Sequence, residues 1–309
     1  MDEMKVVTSG RSFLDIDAYA GCVAYAELLN LQGHEAVAFS SAAINESVTE
    51  TIRSWSAPLS TTYAPTEEDT FVLVDVCEPE YLDHVVVIDR VEEVIDHHVG
   101  QEAFWEQRIG SKATIEFIGA ACTQVYEKWV TAGRFDEMSE LSARLLICGI
   151  LDNTLNFKAQ ITTDRDQAAY DHLLTKAHLT KYWTAQYFQD CEMSIFADIH
   201  TALINDTKYV TFKHLAIDQV AFGQLVIWDA KRATGEYRGQ VEATMASKSA
   251  SWFVNVVSIS DGKSFFIASD DKVLNWAETI LGVRFDNRLA VAGRLWLRKE
   301  IIKQDLTTE

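Results

Sequence analysis

The chain has 309 residues, a formal net charge of −19, 48% apolar and 24% charged residues, the profile of a soluble globular protein rather than a disordered one. Its length allows two domains and a substantial core. The acidic balance excludes duplex nucleic acid as a simple electrostatic partner. It leaves room for a phosphate substrate, because divalent cations invert the local field of a carboxylate-rich cleft. No apolar run approaches the roughly 18 residues of a membrane span, and Met1-Asp2-Glu3-Met4-Lys5 lacks the basic start and apolar core of a signal peptide. Five scattered cysteines with no Cys-x-x-Cys pair suit a reducing compartment and argue against a zinc–thiolate site or a disulfide frame. The expectation is a cytoplasmic protein.

Lys5-Val6-Val7-Thr8 reads as a first strand, followed by a loop from Ser9 to Asp17. Ala18 to Leu31 is rich in Ala and Leu and stops at Gly33, a helix with a glycine terminator. Glu35 to Ser40 is a second strand, and the β-loop-α-β order predicts a parallel sheet with crossover helices. Asp15 and Asp17 fall in the first loop between strand and helix, where open α/β sheets place ligands. They are equally suited to capping the helix.

Phe71-Val72-Leu73-Val74 is a buried strand ending in Asp75, and the apolar run Val85 to Ile88 leads towards Val94-Ile95-Asp96-His97-His98-Val99-Gly100. On a strand, neighbouring side chains face opposite ways, so His97 and His98 share a cleft only if the backbone turns out of the sheet there. Lys112 to Ile118 alternates as a strand does. Gly119-Ala120-Ala121-Cys122-Thr123 then opens a helix through Trp129, a start that admits either a phosphate oxygen or close packing. Leu141 to Ile150 is a buried helix running into Leu151-Asp152-Asn153-Thr154, and Ile161 to Asp166 caps another.

An aromatic helix spans about 180–198, and the domain boundary is expected there, giving domains 1–188 and 189–309. The second half changes pattern. Thr207 to Leu215, Ile217 to Ile227, Ser251 to Ser260 and Lys263 to Ala268 predict a mixed sheet, with Asp261-Gly262 as a hairpin turn. Trp276 to Leu281 is helical, and Arg298-Lys299 is a basic pair in an apolar frame near the end.

Collected together, Asp15, Asp17, Asp75, His97 and Asp152 are oxygen and imidazole ligands near strand ends of one sheet. Such a set suits Mn²⁺, Mg²⁺ or Co²⁺ better than a thiolate-preferring metal. Metal-bound water would supply hydroxide to phosphorus, with His98 placed to donate to the leaving oxygen. Packing explains single members of this set and explains the five together badly.

The pattern resembles the DHH phosphoesterase superfamily, whose four motifs are matched in order by Asp15-Ile16-Asp17, Asp75, Asp96-His97-His98 and Gly149 to Phe157. The glycine-rich element of the oligonucleotide-degrading branch is missing. Asp206-Thr207-Lys208 and Leu297-Arg298-Lys299-Glu300 instead resemble the Asp-x-Lys and Ser-Arg-Lys-Lys elements of manganese-dependent (family II) inorganic pyrophosphatases and related exopolyphosphatases. The resemblance implies an α/β architecture: an N-terminal parallel-sheet DHH domain with helices on both faces and a smaller C-terminal α+β DHHA2 domain. It implies one or two Mn²⁺, Mg²⁺ or Co²⁺ ions on Asp15, Asp17, Asp75, His97 and Asp152, with Asp96 and His98 catalytic. It places Arg11, Lys208, Arg298 and Lys299 on the substrate in an interdomain cleft, and leaves room for a homodimer.

The departures bear on the substrate. Arg11 stands where the pyrophosphatases have a metal-ligating His, and Leu14 replaces a Pro. Val76-Cys77 replaces His-Asn, Asp152-Asn153-Thr154 replaces Ser-Asp-Thr, and Glu300 replaces Lys. Asp152 is expected at the metal, with Asn153 the aligned alternative. The expected activity is metal-dependent hydrolysis of phosphoanhydride bonds, inorganic pyrophosphate first and polyphosphate or another phosphoester as alternatives. A phosphate-ligand binder without turnover is the reading from another class, motivated by Arg11 and Val76.

Overall fold

The computed structural model describes residues 3–308. Strand and helix alternate from the start: β1 (Met4–Thr8), α1 (Ile16–Leu31), β2 (Glu35–Phe39), α2 (Glu50–Arg53), β3 (Leu59–Ser60), β4 (Thr70–Val74), β5 (Val91–Asp96), α3 (Glu102–Ile109) and β6 (Ala113–Ile115). Four helices follow: α4 (Ala121–Thr131), α5 (Glu140–Asn153), α6 (Asp164–Ala177) and α7 (Trp183–Ala197). The six strands form one parallel sheet in the order β3-β2-β1-β4-β5-β6. Two compact units are formed, Met1–Tyr187 and Phe188–Glu309, and the division falls within α7.

Both faces of the first sheet are covered, which is why its central strands are apolar throughout. Val6, Phe71, Leu73 and Val94 pack on one face with Trp105 of α3. Side-chain alternation sends Val7, Val72, Val74 and Ile95 to the other face, and all four are buried. There α1 lies so close that a Cβ on Gly21 would sit 2.5 Å from Val74 Cγ1. Any larger residue at Gly21 would push α1 off the strand ends that carry the polar residues.

The run Val85 to Ile88 forms a turn and the start of a short 3₁₀ helix, Ile88–Arg90, and the strand begins at Val91. Glu92 and Glu93 disguise that strand, but both are paired. Glu92 meets Lys5 Nζ, and Glu93 accepts from Tyr25 Oη at 2.5 Å and Lys128 Nζ at 2.7 Å.

The second unit contains α8 (Ile199–Asn205), β7 (Thr207–Val210), β8 (Val220–Ile227), α9 (Arg238–Lys248), β9 (Trp252–Ser258), β10 (Lys263–Ala268), α10 (Asp271–Leu281), β11 (Phe285–Asp286), β12 (Leu289–Val291) and α11 (Arg298–Thr307). Its sheet, β11-β12-β10-β9-β8-β7, is mixed because β8 and β9 run parallel while the other pairs are antiparallel. Leu203, Val241 and Met245 pack against one face, and Trp276, Ala277 and Ile301 against the other. Gly262 takes φ 64° in the turn joining β9 to β10, a conformation that glycine adopts without strain. The strand expected over Thr207–Leu215 stops at Val210. Phe212 and Leu215 are buried as loop residues within the core cluster, so their apolar character reflects packing rather than a continued ladder. No helix among the described residues is long and apolar enough to cross a membrane.

Candidate metal centre

The polar residues gather at the carboxyl ends of β1, β4 and β5. β4 ends at Val74, and Asp75 then takes φ 60° while its N–H donates to Ile95 O of β5 at 2.9 Å. A non-glycine residue in the left-handed region is costly and persists only where its surroundings fix it. Here the bond to β5 holds the turn. The Asp75 carboxylate lies 3.3 Å from His97 Nε2 and 3.6 Å from His98 Nδ1.

Asp96 closes β5 and organises both histidines. Its Oδ1 accepts from His97 N at 2.7 Å, His98 N at 3.1 Å and His98 Nδ1 at 2.9 Å. The carboxylate thus turns the backbone out of the sheet and brings the two side chains to one place. His97 Nδ1 lies 3.0 Å from Ile118 O, which can only accept, so that nitrogen carries the proton. His97 Nε2 is thereby directed at Asp75 and, 3.9 Å away, at Asp17 Oδ2. A carbonyl that fixes the far nitrogen is the usual support of a ligating imidazole. His98 is protonated at Nδ1 towards Asp96, its side chain is 58% exposed, and its Nε2 is the nitrogen Asp96 does not engage. Asp75, His97 and His98 each offer one ligand atom within 4.8 Å of the others.

The other acids have different surroundings. Asp15 is the N-cap of α1 and accepts from Ala18 N at 3.0 Å through Oδ1. Asp17 is wholly buried and accepts from Ala121 N and Cys122 N, each at 2.8 Å, and from Asn153 Nδ2 at 2.5 Å. α4 has no side-chain cap of its own, so Asp17 caps it from another helix. The small residues opening α4 therefore serve close approach and capping, and the two N–H groups that a phosphate would need belong to Asp17. The same crowding recurs nearby: a Cβ on Gly149 would stand 2.4 Å from Cys122 Sγ and 3.0 Å from Asp17 Oδ1. Asp152 accepts from Tyr187 Oη at 2.8 Å. Of the two fourth-motif candidates, Asn153 is the one hydrogen-bonded to Asp17. Its amide serves as a donor to Asp17, a role for which an acid would be no substitute.

Charge within this group is unbalanced. Asp75 Oδ1 and Asp96 Oδ2 are buried and neither is met by a well-formed hydrogen bond among the described residues, although His97 Nε2 stands 3.3 Å from the first. Burial pushes the Asp75 carboxyl well above the usual range, and Asp15 and Asp17 push it the same way against the pull of His97. Burial raises Asp15, with Asp17 adding to it. Burial pushes Asp152 up to about 7 against the Tyr187 hydrogen bond, with Asp15 and Asp17 contributing. Burial alone would pull His97 down, but Asp75 and Asp17 outweigh it and push it up to about 10. The hydrogen bond to Asp96 raises His98. Buried carboxylates with an orphaned oxygen and a directed imidazole fit a divalent cation of the hard or borderline class.

The remaining sequence candidates have surroundings of their own. Arg11 is exposed, and its backbone N–H donates to Tyr81 O at 2.8 Å. Val76 is a core residue, and Cys77 Sγ donates to His98 O at 2.9 Å. In the second unit Lys208 and Lys299 are exposed. Arg298 is buried, pairs with Asp206 Oδ1 at 2.9 Å and also donates to Asp206 O, leaving Nε without a partner among the described residues. Glu300 accepts from Leu297 N at 2.6 Å and from Arg294 Nη1 at 3.0 Å, so it caps α11 where a lysine could not.

Two solved structures show the same arrangement over nearly the whole chain. The putative family II inorganic pyrophosphatase of Methanococcus jannaschii is 16% identical, with a TM-score of 0.63 over 98% of this chain and 100% of that one. The chain shares the fold of that protein. An exopolyphosphatase-related protein from Bacteroides fragilis shares it at 15% identity, with a TM-score of 0.53 over 98% of this chain and 90% of the other. The sequence itself matches no protein-family model and no curated protein. At this distance the fold is what is shared. The chemistry has to be argued from the residues of this chain.

Proposed function

We propose that this protein is a divalent-metal-dependent phosphohydrolase, with the reacting phosphate held at Asp75, His97 and His98. The observation that carries this reading is the buried, partnerless Asp75 Oδ1 facing His97 Nε2 at 3.3 Å. Beside three other acids that oxygen faces only the His97 and His98 imidazoles, and a cation would supply the positive charge the group is short of. Asp75, His97 and Asp17, with Asp15 and Asp152 beside them, would hold Mn²⁺, Mg²⁺ or Co²⁺, in one or two copies. The bound cation would lower the pKa of a coordinated water and draw charge from the phosphate oxygens.

The residues around it supply orientation and proton transfer. Asp96 keeps the His98 Nδ1 proton and stabilises the imidazolium, so His98 can give its Nε2 proton to the leaving oxygen. Ile118 O keeps His97 in the tautomer that offers Nε2. Arg11 in the first unit and Lys208, Arg298 and Lys299 in the second are proposed phosphate contacts, as the motif resemblance implies. Asp206 engages Arg298 through Nη2 alone, which leaves its other guanidinium nitrogens for phosphate.

The bond class is a phosphoanhydride or phosphoester, and inorganic pyrophosphate is the first substrate to test because the DHH fold is shared with a putative family II pyrophosphatase. Phosphate release from pyrophosphate, polyphosphate and phosphomonoesters, measured with each of the three cations, should occur with at least one pair. Absence of release from all of them at every metal concentration would leave a binding protein and end the enzyme reading.

A further inference from the structure

Beside Asp75 and His98 the first unit opens a cleft of about 300 Å³, and its walls differ sharply from its metal-type end. Phe13, Val76, Cys77 and Tyr81 line the far side, and no lysine or arginine among the described residues does. The only other charged groups lining it are acids, Asp15 and Glu78. A small inorganic polyanion gains nothing from such a wall. It carries charge at every oxygen, and this side offers none of them a cationic donor.

The two aromatic walls are built rather than incidental. Phe13 comes from the loop before α1, and Tyr81 from the loop after β4. The two loops are bound together by their backbones: Arg11 N donates to Tyr81 O at 2.8 Å and Asp83 N to Ser9 O at 3.0 Å, around the bridge between Gly10 and Leu82. Yet Phe13 is 56% exposed and Tyr81 50% exposed, and neither ring contacts another aromatic ring among the described residues. The replacements at Val76 and Cys77 are what make the adjoining floor apolar. Val76 belongs to the core, and Cys77 Sγ is turned to His98 O.

Resting on the phosphohydrolase reading above, we infer that the substrate is an organic phosphoester whose organic group is aromatic, with its phosphate at Asp75 and His98 and its ring against Phe13 and Tyr81. The bond broken is the one between phosphorus and the organic oxygen. Water oxygen forms the new bond to phosphorus, the organic oxygen leaves with the electron pair, and it takes its proton from His98. Inorganic phosphate and a neutral hydroxyl compound are the products, and no redox partner enters. Stacking on one exposed ring amounts to about a ten-fold gain in affinity.

The test compares two non-hydrolysable probes, phenylphosphonate and methylphosphonate, by calorimetry with the Mn²⁺-loaded protein, alongside phosphate release from phenyl phosphate and from pyrophosphate. Phenylphosphonate should bind about ten-fold tighter, the preference should collapse towards unity in Phe13→Ala and Tyr81→Ala, and Tyr81→Phe should retain it. The kcat/KM for phenyl phosphate should exceed that for pyrophosphate. Equal binding of the two probes, or a preference untouched by both alanine variants, overturns the inference. The two readings fail separately. Mn²⁺-dependent release from pyrophosphate without any phenyl preference removes the aromatic subsite and keeps the hydrolase. A phenyl preference that needs no Mn²⁺, with no release from any substrate, keeps the subsite and removes the hydrolase. If neither probe binds and no substrate releases phosphate, both are wrong.

Discussion

Two buried carboxylates at strand ends of the same sheet, Asp17 and Asp75, are handled in opposite ways. Asp17 takes three N–H donors, from Ala121, Cys122 and Asn153, and ties α1, α4 and α5 together. Asp75, less fully buried than Asp17, has one buried oxygen with no hydrogen bond, on a backbone held at positive φ. The first corner has its hydrogen bonds met within the protein before any cation binds. The second has only the His97 and His98 imidazoles to meet its charge. Burial of an acid is therefore not in itself a mark of function; an unmet valence beside a directed imidazole is.

The largest effect that separates the two corners is on turnover. Asp75→Asn should lower metal-supported phosphate release by about three orders of magnitude, measured as kcat/KM at saturating Mn²⁺. It should also leave the metal-free protein no less stable, because loss of the His97 ion pair is offset by relief of burial and of the repulsion from Asp15 and Asp17. Asp17→Asn should do the reverse in stability. Its amide presents a donor to donors, so the metal-free protein should lose about 3 kcal/mol in denaturant unfolding. If both variants shift stability in the same direction, the distinction between the corners is lost.

Much of this arrangement was legible in the sequence, and the reasons are specific. Asp15, Asp17, Asp75, Asp96, His97 and His98 all fall where an apolar strand gives way to a polar turn, so their gathering followed from parallel-sheet topology alone. The dual reading of Asp15 stayed open because capping and ligation ask for the same residue type. The bonds of Asn153 to Asp17, and of Asp17 to the start of α4, join residues more than a hundred positions apart, and no local pattern records them. Helices α9 and α11 were not read. Their polar faces carry Arg238 and Glu242 or Lys299 and Lys303, and only a few residues of each are buried, which leaves little periodicity to detect. The apolar wall of the cleft was hidden in a different way. Val76 and Cys77 read as two lost functional residues, whereas in the fold one packs the core and the other supports the His98 backbone.

A smaller contrast lies in the second unit, where Arg298 is a buried cation paired with a half-exposed acid. Asp206→Ala should cost about 1–2 kcal/mol, discounted for the exposure of that carboxylate, and thermal unfolding would register it. Metal affinity should stay as in the wild type, and a loss of metal would contradict the assignment of all metal ligands to the first unit.

The smallest effect is a slope in pH. Asp15, Asp75, Asp152, His97 and His98 are all raised in the folded chain, so the native state binds more protons than the unfolded one at intermediate pH. Stability of the metal-free protein should therefore fall as pH rises, first through about 7 with Asp152 and then towards about 10 with His97. A divalent cation should flatten or reverse that slope, because it takes the place of the protons.

The central claim, that the Asp75 corner is built for a cation, is tested most directly by thermal unfolding at pH 7.5 with and without Mn²⁺. The wild-type protein should gain about 3 kcal/mol at a hundred-fold excess over Kd, a rise of several degrees in Tm, while Asp75→Asn should gain nothing measurable. Equal Mn²⁺ stabilisation of both proteins, or none in the wild type, would contradict it.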